Sequence, residues 1–241
     1  MKKILVVSEN VGLCRFLLQS QNDLALSSKC SFDFRYTSYN DDPKTMLDFG
    51  ACEINLKDES VIDWIVRNYD IVFSLHCKQI FPALLISQLP CFNFHPGFNP
   101  YNRGWYPQVF SLINGLPVGA TVHLMDEHID HGEIVAQKKV NILPKDTSLD
   151  VYNNVIEAEK ELIKEHLVSI IDNTYSLSSP IGEGNYNDIK DYMKLCKLNL
   201  DEVGTLESHL NLLRGLSHGK FRNAYFEKGG KKYFVKIIIS D

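Results

Sequence analysis

Phe92-Asn93-Phe94-His95-Pro96-Gly97-Phe98-Asn99-Pro100-Tyr101-Asn102-Arg103-Gly104 is the stretch on which the reading of this chain turns. Its first four residues alternate aromatic and polar, and a strand sends successive side chains to opposite faces, so Asn93 and His95 share one face. Pro96 has no N–H to give a sheet ladder and biases His95 toward an extended backbone, which ends the strand there. Gly97, Pro100 and Gly104 punctuate the loop beyond. Two polar side chains therefore stand at the carboxyl end of a strand, at the mouth of a loop, where open α/β sheets bind their ligands.

The flanking sequence predicts such a sheet. Upstream, Lys3 to Ser8 is a short apolar run, and Leu13, Phe16 and Leu17 follow at helical spacing, a βα opening. It lacks Gly-x-Gly-x-x-Gly, which argues against a dinucleotide site. A second strand is expected over Phe32 to Tyr39, and Asp41-Asp42-Pro43 can begin a helix. Asp58 or Ser60 can cap a helix bearing Val61, Ile62, Trp64 and Ile65, which leads into an apolar strand over Tyr69 to His76. Residues Phe81 to Ile86 suit a further helix, broken by Leu89-Pro90 before the Cys91 to His95 strand.

Downstream, a helix from Trp105 to Asn114 should stop at Gly115. Gly119 to Leu124 and Gly132 to Gln137 read as two strands joined by the Asp126 to His131 loop. Thr147 with Asp150 makes a capping box for a long helix whose stripe is Leu149, Tyr152, Ile156, Ile163, Leu167 and Ile170. The serines, Pro180 and two glycines of 176–184 read as a linker. Beyond it, Asp188 to Cys196 and Thr205 to Arg214 look helical, and Gly229-Gly230 joins two hairpin strands. The expected architecture is α/β: a Rossmann-like open, mostly parallel sheet in a domain over 1–175, the linker 176–184, and a small C-terminal helix and β-hairpin module over 185–241.

Composition narrows the function classes. The 241 residues are 44% hydrophobic with no apolar run of membrane-spanning length, which predicts no membrane span. A formal net charge of −5 argues against a protein whose main work is holding nucleic-acid phosphates. The start, Met1 to Ser8, is too short an apolar run for an export signal. Cys14, Cys30, Cys52, Cys77, Cys91 and Cys196 show no Cys-x-x-Cys, so reduced thiols in a cytoplasm are expected. His76, Cys77, His123, His128 and His131 form no familiar ligand spacing, and no metal is expected.

The pattern Asn93-x-His95-Pro96, then Arg103-Gly104, then Asp130-His131-Gly132 resembles the formyltransferase family that uses 10-formyltetrahydrofolate. The resemblance covers residues 1 to 175 and implies that Asn93, His95 and Asp130 are catalytic. His95 suits proton transfer because an imidazole titrates near cellular pH, Asn93 can donate to an oxyanion, and Asp130 can orient the imidazole. Taken singly, Asn93 could instead close a turn, His95 could be a satisfied half-buried ring, and Asp130 could serve an Asx-turn before Gly132.

By the same resemblance the loop His76, Cys77, Lys78 to Phe81, with Asp126 and Ile129, lines the folate pocket; a surface βα loop is the plainer reading. Arg103, Gly104, Trp105, Tyr106 and Tyr225 are expected at the acceptor, although Trp105 and Tyr106 serve core packing equally well. The tail, Leu213-Arg214-Gly215-Leu216-Ser217-His218 followed by Phe221 to Phe226, resembles nucleotide-sugar N-formyltransferases. It implies a homodimer formed through the C-terminal region and a dTDP-linked amino-dideoxy sugar as acceptor, first dTDP-4-amino-4,6-dideoxyglucose, of the kind used in O-antigen and lipopolysaccharide. His218-Gly219-Lys220 departs from the prolines frequent there. Glycinamide ribonucleotide, methionyl-tRNA, or a non-catalytic folate- or nucleotide-binding module are the competing readings.

Overall fold

The computed structural model describes residues 1–240. Its first half runs β1 (Lys2–Ser8), α1 (Val11–Asp23), β2 (Cys30–Tyr36), α2 (Pro43–Phe49), β3 (Cys52–Glu53), α3 (Glu59–Asn68), β4 (Ile71–Leu75), α4 (Ala83–Gln88) and β5 (Cys91–His95). Then come β6 (Arg103–Gly104), α5 (Pro107–Asn114), β7 (Val118–Leu124), β8 (Ile134–Val140) and α6 (Ser148–Ile171). The chain finishes with β9 (Tyr186–Asn187), α7 (Ile189–Cys196), α8 (Leu206–Leu216), β10 (Tyr225–Lys228) and β11 (Lys231–Phe234). Two compact units interleave along it: Met1–His95, Thr121–Gln137 and Glu159–Pro180 make one, and Pro96–Ala120, Lys138–Ala158 and Ile181–Asp241 the other.

The first unit is built on a seven-stranded sheet of order β3-β2-β1-β4-β5-β7-β8. Pairs β1/β2, β1/β4, β2/β3 and β4/β5 are parallel, and β5/β7 is antiparallel. The open, mostly parallel sheet expected from the sequence is therefore present. Ile4 to Val7 and Ile71 to Leu75 are buried along their whole length. Such continuous apolar runs are what a parallel sheet covered on both faces demands.

Local chemistry sets the helix starts. Asn10 Oδ1 accepts from Leu13 N–H at the head of α1, and Asp42 accepts from Thr45 N–H with Pro43 in the first turn of α2. Of the two candidate caps for α3, Asp58 takes the role by accepting from Ser60 N–H. Ile62 and Ile65 of α3 pack with Leu5, Val7, Val72, Phe81 and Leu85 in one apolar cluster.

Three expectations need correction. Strand β2 ends at Tyr36 and not Tyr39, because Thr37 turns its N–H and hydroxyl to the Glu9 carboxylate (3.2 and 2.5 Å). Along α6 the buried residues are Val151, Val155, Ala158, Leu162, Ile163, Leu167, Ile170 and Ile171, while Leu149, Tyr152 and Ile156 are only half-buried. The apolar stripe passes through small Ala158 and charged Glu159, which periodicity in large apolar residues does not register. The Thr147 cap is one-sided: its N–H and its hydroxyl both donate to Asp150 Oδ2 (2.8 and 2.6 Å).

In the second unit Val109, Cys196, Leu216 and Ala224 form the core, with Ile113, Leu212, Leu213 and Val235 against them. Asp188 and Asp191 make a reciprocal capping box at the head of α7. The hairpin pairs β10 with β11 through Gly229 and Gly230, both at positive φ (59° and 74°), as a two-residue turn of this kind requires. Strands β6 and β9, two residues each, pair in parallel. Within 176–184, Ser178 exchanges both backbone hydrogen bonds with Ile134 in the first unit (2.8 and 2.9 Å). No helix among the described residues is long and apolar enough to cross a membrane.

Candidate active site

Asn93 and His95 lie on one face of β5, while Phe92 and Phe94 turn the other way and pack on Phe73 at ring distances of 6.0 and 5.3 Å. His95 is buried, with 4% of its surface exposed. In the β5/β7 pairing Asn93 stands opposite His123 and His95 opposite Thr121. The Asp126 to His131 loop then brings Asp130 back to them. Asp130 Oδ1 accepts from Asn93 Nδ2 at 2.9 Å and lies 3.5 Å from His95 Nδ1. Amide, imidazole and carboxylate, taken from two separate segments, thus meet at one oxygen.

His123 is a fourth member that the sequence did not single out as part of this group. Its Nε2 lies 3.7 Å from the same Asp130 oxygen, its Nδ1 contacts Leu124 O at 3.2 Å, and it is 1% exposed. The rings of His95 and His123 meet edge to face at 6.4 Å. The available signal was the alternation of Gly119 to Leu124, which puts His123 on one face with Thr121, but only the strand register brings it to Asn93.

Gly132 explains the Asp-x-Gly spacing. A Cβ there would sit 1.8 Å from Leu124 O, so any side chain would push the loop away from β7. Asp130 itself holds φ +50°, a left-handed conformation that Asp tolerates better than bulky residues. His76, Asn102 and Tyr106 share this feature, with φ of 60°, 50° and 50°. Strain of this kind gathers at functional loops.

The loop after β4 is tied down from several sides. His76 Nε2 meets both oxygens of Glu159 at 3.0 and 2.8 Å, and Glu159 is 1% exposed. Burial pushes the Glu159 carboxyl above its ordinary value, against the opposing pull of His76. Cys77 donates its S–H to Gln79 O (3.4 Å), and burial raises the thiol to about 12, so it is no thiolate at neutral pH. Lys78 forms an ion pair with Asp41, and Phe81 is buried in the apolar cluster of α3 and α4. Beside this loop a cleft of about 520 Å³ is lined by Tyr39, Lys57, Lys78, Gln79, Ile80 and Leu84.

On the β7–β8 loop Ile129 is exposed, and Asp126 accepts from His131 Nδ1 (2.5 Å) and from His128 N–H (2.9 Å). Burial alone would raise the Asp126 carboxyl; these two bonds overcome it and hold the group below its ordinary value. Asp126, His128 and His131 are also the one set among the described residues whose ligand atoms, all within 4.8 Å of one another, could hold a metal ion.

The expected acceptor residues fall in the second unit. Arg103 and Trp105 donate their N–H groups to Asn185 O (2.9 Å) and Asn187 O (3.0 Å). Gly104, at φ +91°, leaves no room for a Cβ, which would lie 2.5 Å from Asn187 O. The Tyr106 ring lies against Tyr192 at 4.4 Å and meets Trp105 edge to face at 5.6 Å. Tyr225, on β10, carries the Lys232 ammonium over its ring at 3.7 Å.

With this arrangement in place, the comparisons with known proteins define the class. Residues 29–167 match the model described as formyl transferase, and residues 191–241 match the N-formyltransferase dimerization C-terminal domain. The chain belongs to the formyl transferase family. It is 50% identical over 176 residues, 73% of this chain and 75% of the other, to the dTDP-4-amino-4,6-dideoxyglucose formyltransferase of Mycobacterium bovis. The crystal structure of a sugar N-formyltransferase from Shewanella sp FDAARGOS_354 superposes with TM-score 0.97 at 45% identity, covering 100% of this chain and 98% of that one. A 4-N formyltransferase from Francisella tularensis superposes at TM-score 0.91 and 37% identity, with 100% and 98% covered. An N-formyltransferase from Helicobacter canadensis, solved with folinic acid and dTDP-3-aminofucose, shares the fold at 18% identity and TM-score 0.73, over 96% and 86% of the two chains.

Proposed function

We propose that this chain transfers the formyl group of 10-formyltetrahydrofolate to the amine of a dTDP-linked amino-dideoxy sugar, with dTDP-4-amino-4,6-dideoxyglucose the first choice. The observation that carries the reading is the meeting of Asn93, His95 and Asp130 at one carboxylate oxygen, Oδ1 of Asp130. The acceptor follows the 50% identical mycobacterial relative. On this reading residues 1–175 are catalytic, the module over 185–241 pairs two copies, and the product feeds O-antigen or lipopolysaccharide sugars from the cytoplasm.

Each side chain has a step. The acceptor amine attacks the formyl carbon, and the carbonyl becomes an oxyanion. Asn93 gives one N–H to Asp130 and keeps a second on the same nitrogen for that oxyanion. The C–N bond to the folate then breaks, and the departing nitrogen takes up a proton as the acceptor nitrogen loses one. His95 moves that proton, and Asp130 orients its ring and favours the imidazolium. The 3.5 Å separation of His95 and Asp130 is longer than a hydrogen bond and would tighten with substrates present. The loop from His76 to Phe81, with Asp126 and Ile129, contributes to the folate side, and Arg103, Gly104, Trp105, Tyr106 and Tyr225 to the acceptor.

A panel of acceptors separates this from its competitors. Release of tetrahydrofolate should be fastest with dTDP-4-amino-4,6-dideoxyglucose; faster turnover with glycinamide ribonucleotide or methionyl-tRNA would replace the acceptor, and folate binding without turnover on any amine would reduce the protein to a binding module.

A further inference from the structure

Six hydrogen bonds converge on Asn102, a residue with no exposed surface in the loop that leaves β5. Its N–H donates to Asn185 Oδ1 at 2.8 Å. Its side-chain oxygen accepts from Asn185 Nδ2 (2.7 Å), Asn114 Nδ2 (2.8 Å) and Asn187 Nδ2 (3.3 Å). Its own Nδ2 donates to Ser111 Oγ (2.9 Å) and Asn114 Oδ1 (3.3 Å). One short side chain thereby fastens the start of β6, Asn185 just before β9, Asn187 within it, and the last turn of α5. Such an arrangement holds every polar group only while all members are present.

The residue type is constrained on both counts. The backbone is left-handed at φ +50°, which Asn adopts more readily than most residues, and the planar amide offers donors and an acceptor at once. Asp in its place would lose both donors, and Leu would satisfy none of the surrounding amides. What the hub secures is the run Arg103 to Tyr106, whose N–H groups at 103 and 105 are in turn paired with Asn185 and Asn187 carbonyls.

We infer that Asn102 is a positioning residue for the acceptor: its buried amide network fixes the Arg103–Tyr106 loop and makes the 185–187 segment part of the acceptor site. The inference rests on the proposed function only in identifying that loop with the acceptor. Order in the loop governs how tightly the amino-sugar nucleotide is held and leaves the folate side untouched.

The test pairs kinetics with amide exchange on the full chain. Asn102→Gly keeps the left-handed backbone and its N–H bond to Asn185 Oδ1 while deleting the five side-chain hydrogen bonds, and Asn185→Ala cuts the network from the other side should the first fold poorly. Both variants should raise KM for the dTDP-amino sugar at least about tenfold, with KM for 10-formyltetrahydrofolate within about twofold of native, and should speed hydrogen exchange across 103–106. Equal rises in both KM values, or a loop as protected as in the native chain, would overturn it. A native chain inert toward every acceptor would strike the proposed function alone, because the exchange readout still decides whether the network orders the loop.

Discussion

Asp130 is where the polar groups of the candidate site gather, because one of its oxygens faces an amide and two imidazoles. Its place is set by a neighbour with no side chain. Gly132→Ala would drive a methyl group into Leu124 O, and the loop would have to withdraw from β7. We expect a loss of at least ~2 kcal/mol in denaturant unfolding, as overpacking and backbone strain produce, together with a fall in turnover larger than the stability loss explains. An alanine variant with native stability and native turnover would show that the close approach is irrelevant. The residues of the site differ in how legible they were. Asn93 and His95 could be read because alternation and Pro96 act locally. Asp130 needed the second motif. His123 was invisible as a partner, since the register of an antiparallel pair is settled by residues some thirty positions apart.

At the level of elements, long apolar strands and well-capped helices followed from sequence, whereas the two-residue strands β3, β6 and β9 did not. Their identity lies in what they pair with and not in any pattern of their own. Glu159 shows the same limit within a helix: a charge in an apolar stripe reads as surface until His76 is seen opposite it. The segment joining α8 to β10 provides a pH-sensitive element. His218 contacts Ser148 Oγ at 3.1 Å and lies between the rings of Tyr152 and Phe221. Burial lowers its pKa below the ordinary 6.5, so the folded chain prefers the neutral ring. Stability from this group is fully present above 6.5 and is lost as pH falls toward the lowered folded value. Melting temperature should therefore drop between about pH 7 and 5, and His218→Gln should flatten part of that slope. An unchanged slope would assign the acid sensitivity elsewhere.

At the scale of the whole molecule, the chain carries both the seven-stranded sheet and a C-terminal part, residues 191–241, that matches a dimerization domain. Phe234 and Tyr233 are exposed on the hairpin, and Phe226 stacks on Tyr233 at 5.3 Å, an apolar surface suited to a second copy. Sedimentation equilibrium should give a dimer, and Phe234→Glu with Tyr233→Glu should shift it to monomer; a native monomer at micromolar concentration would contradict this. The general architecture was legible from the alternation of strand and helix patterns, while the interleaving of the two units was not, because it depends on contacts between distant segments. The account as a whole is tested most directly by the rate of formyl transfer from 10-formyltetrahydrofolate to dTDP-4-amino-4,6-dideoxyglucose in the native chain and in His95→Ala. The native chain should release tetrahydrofolate and formylated sugar in equal amounts, and the variant should be slower by ~10² to 10⁴ with its fold intact; a variant within tenfold of native would remove His95 from the proton transfer and contradict the account.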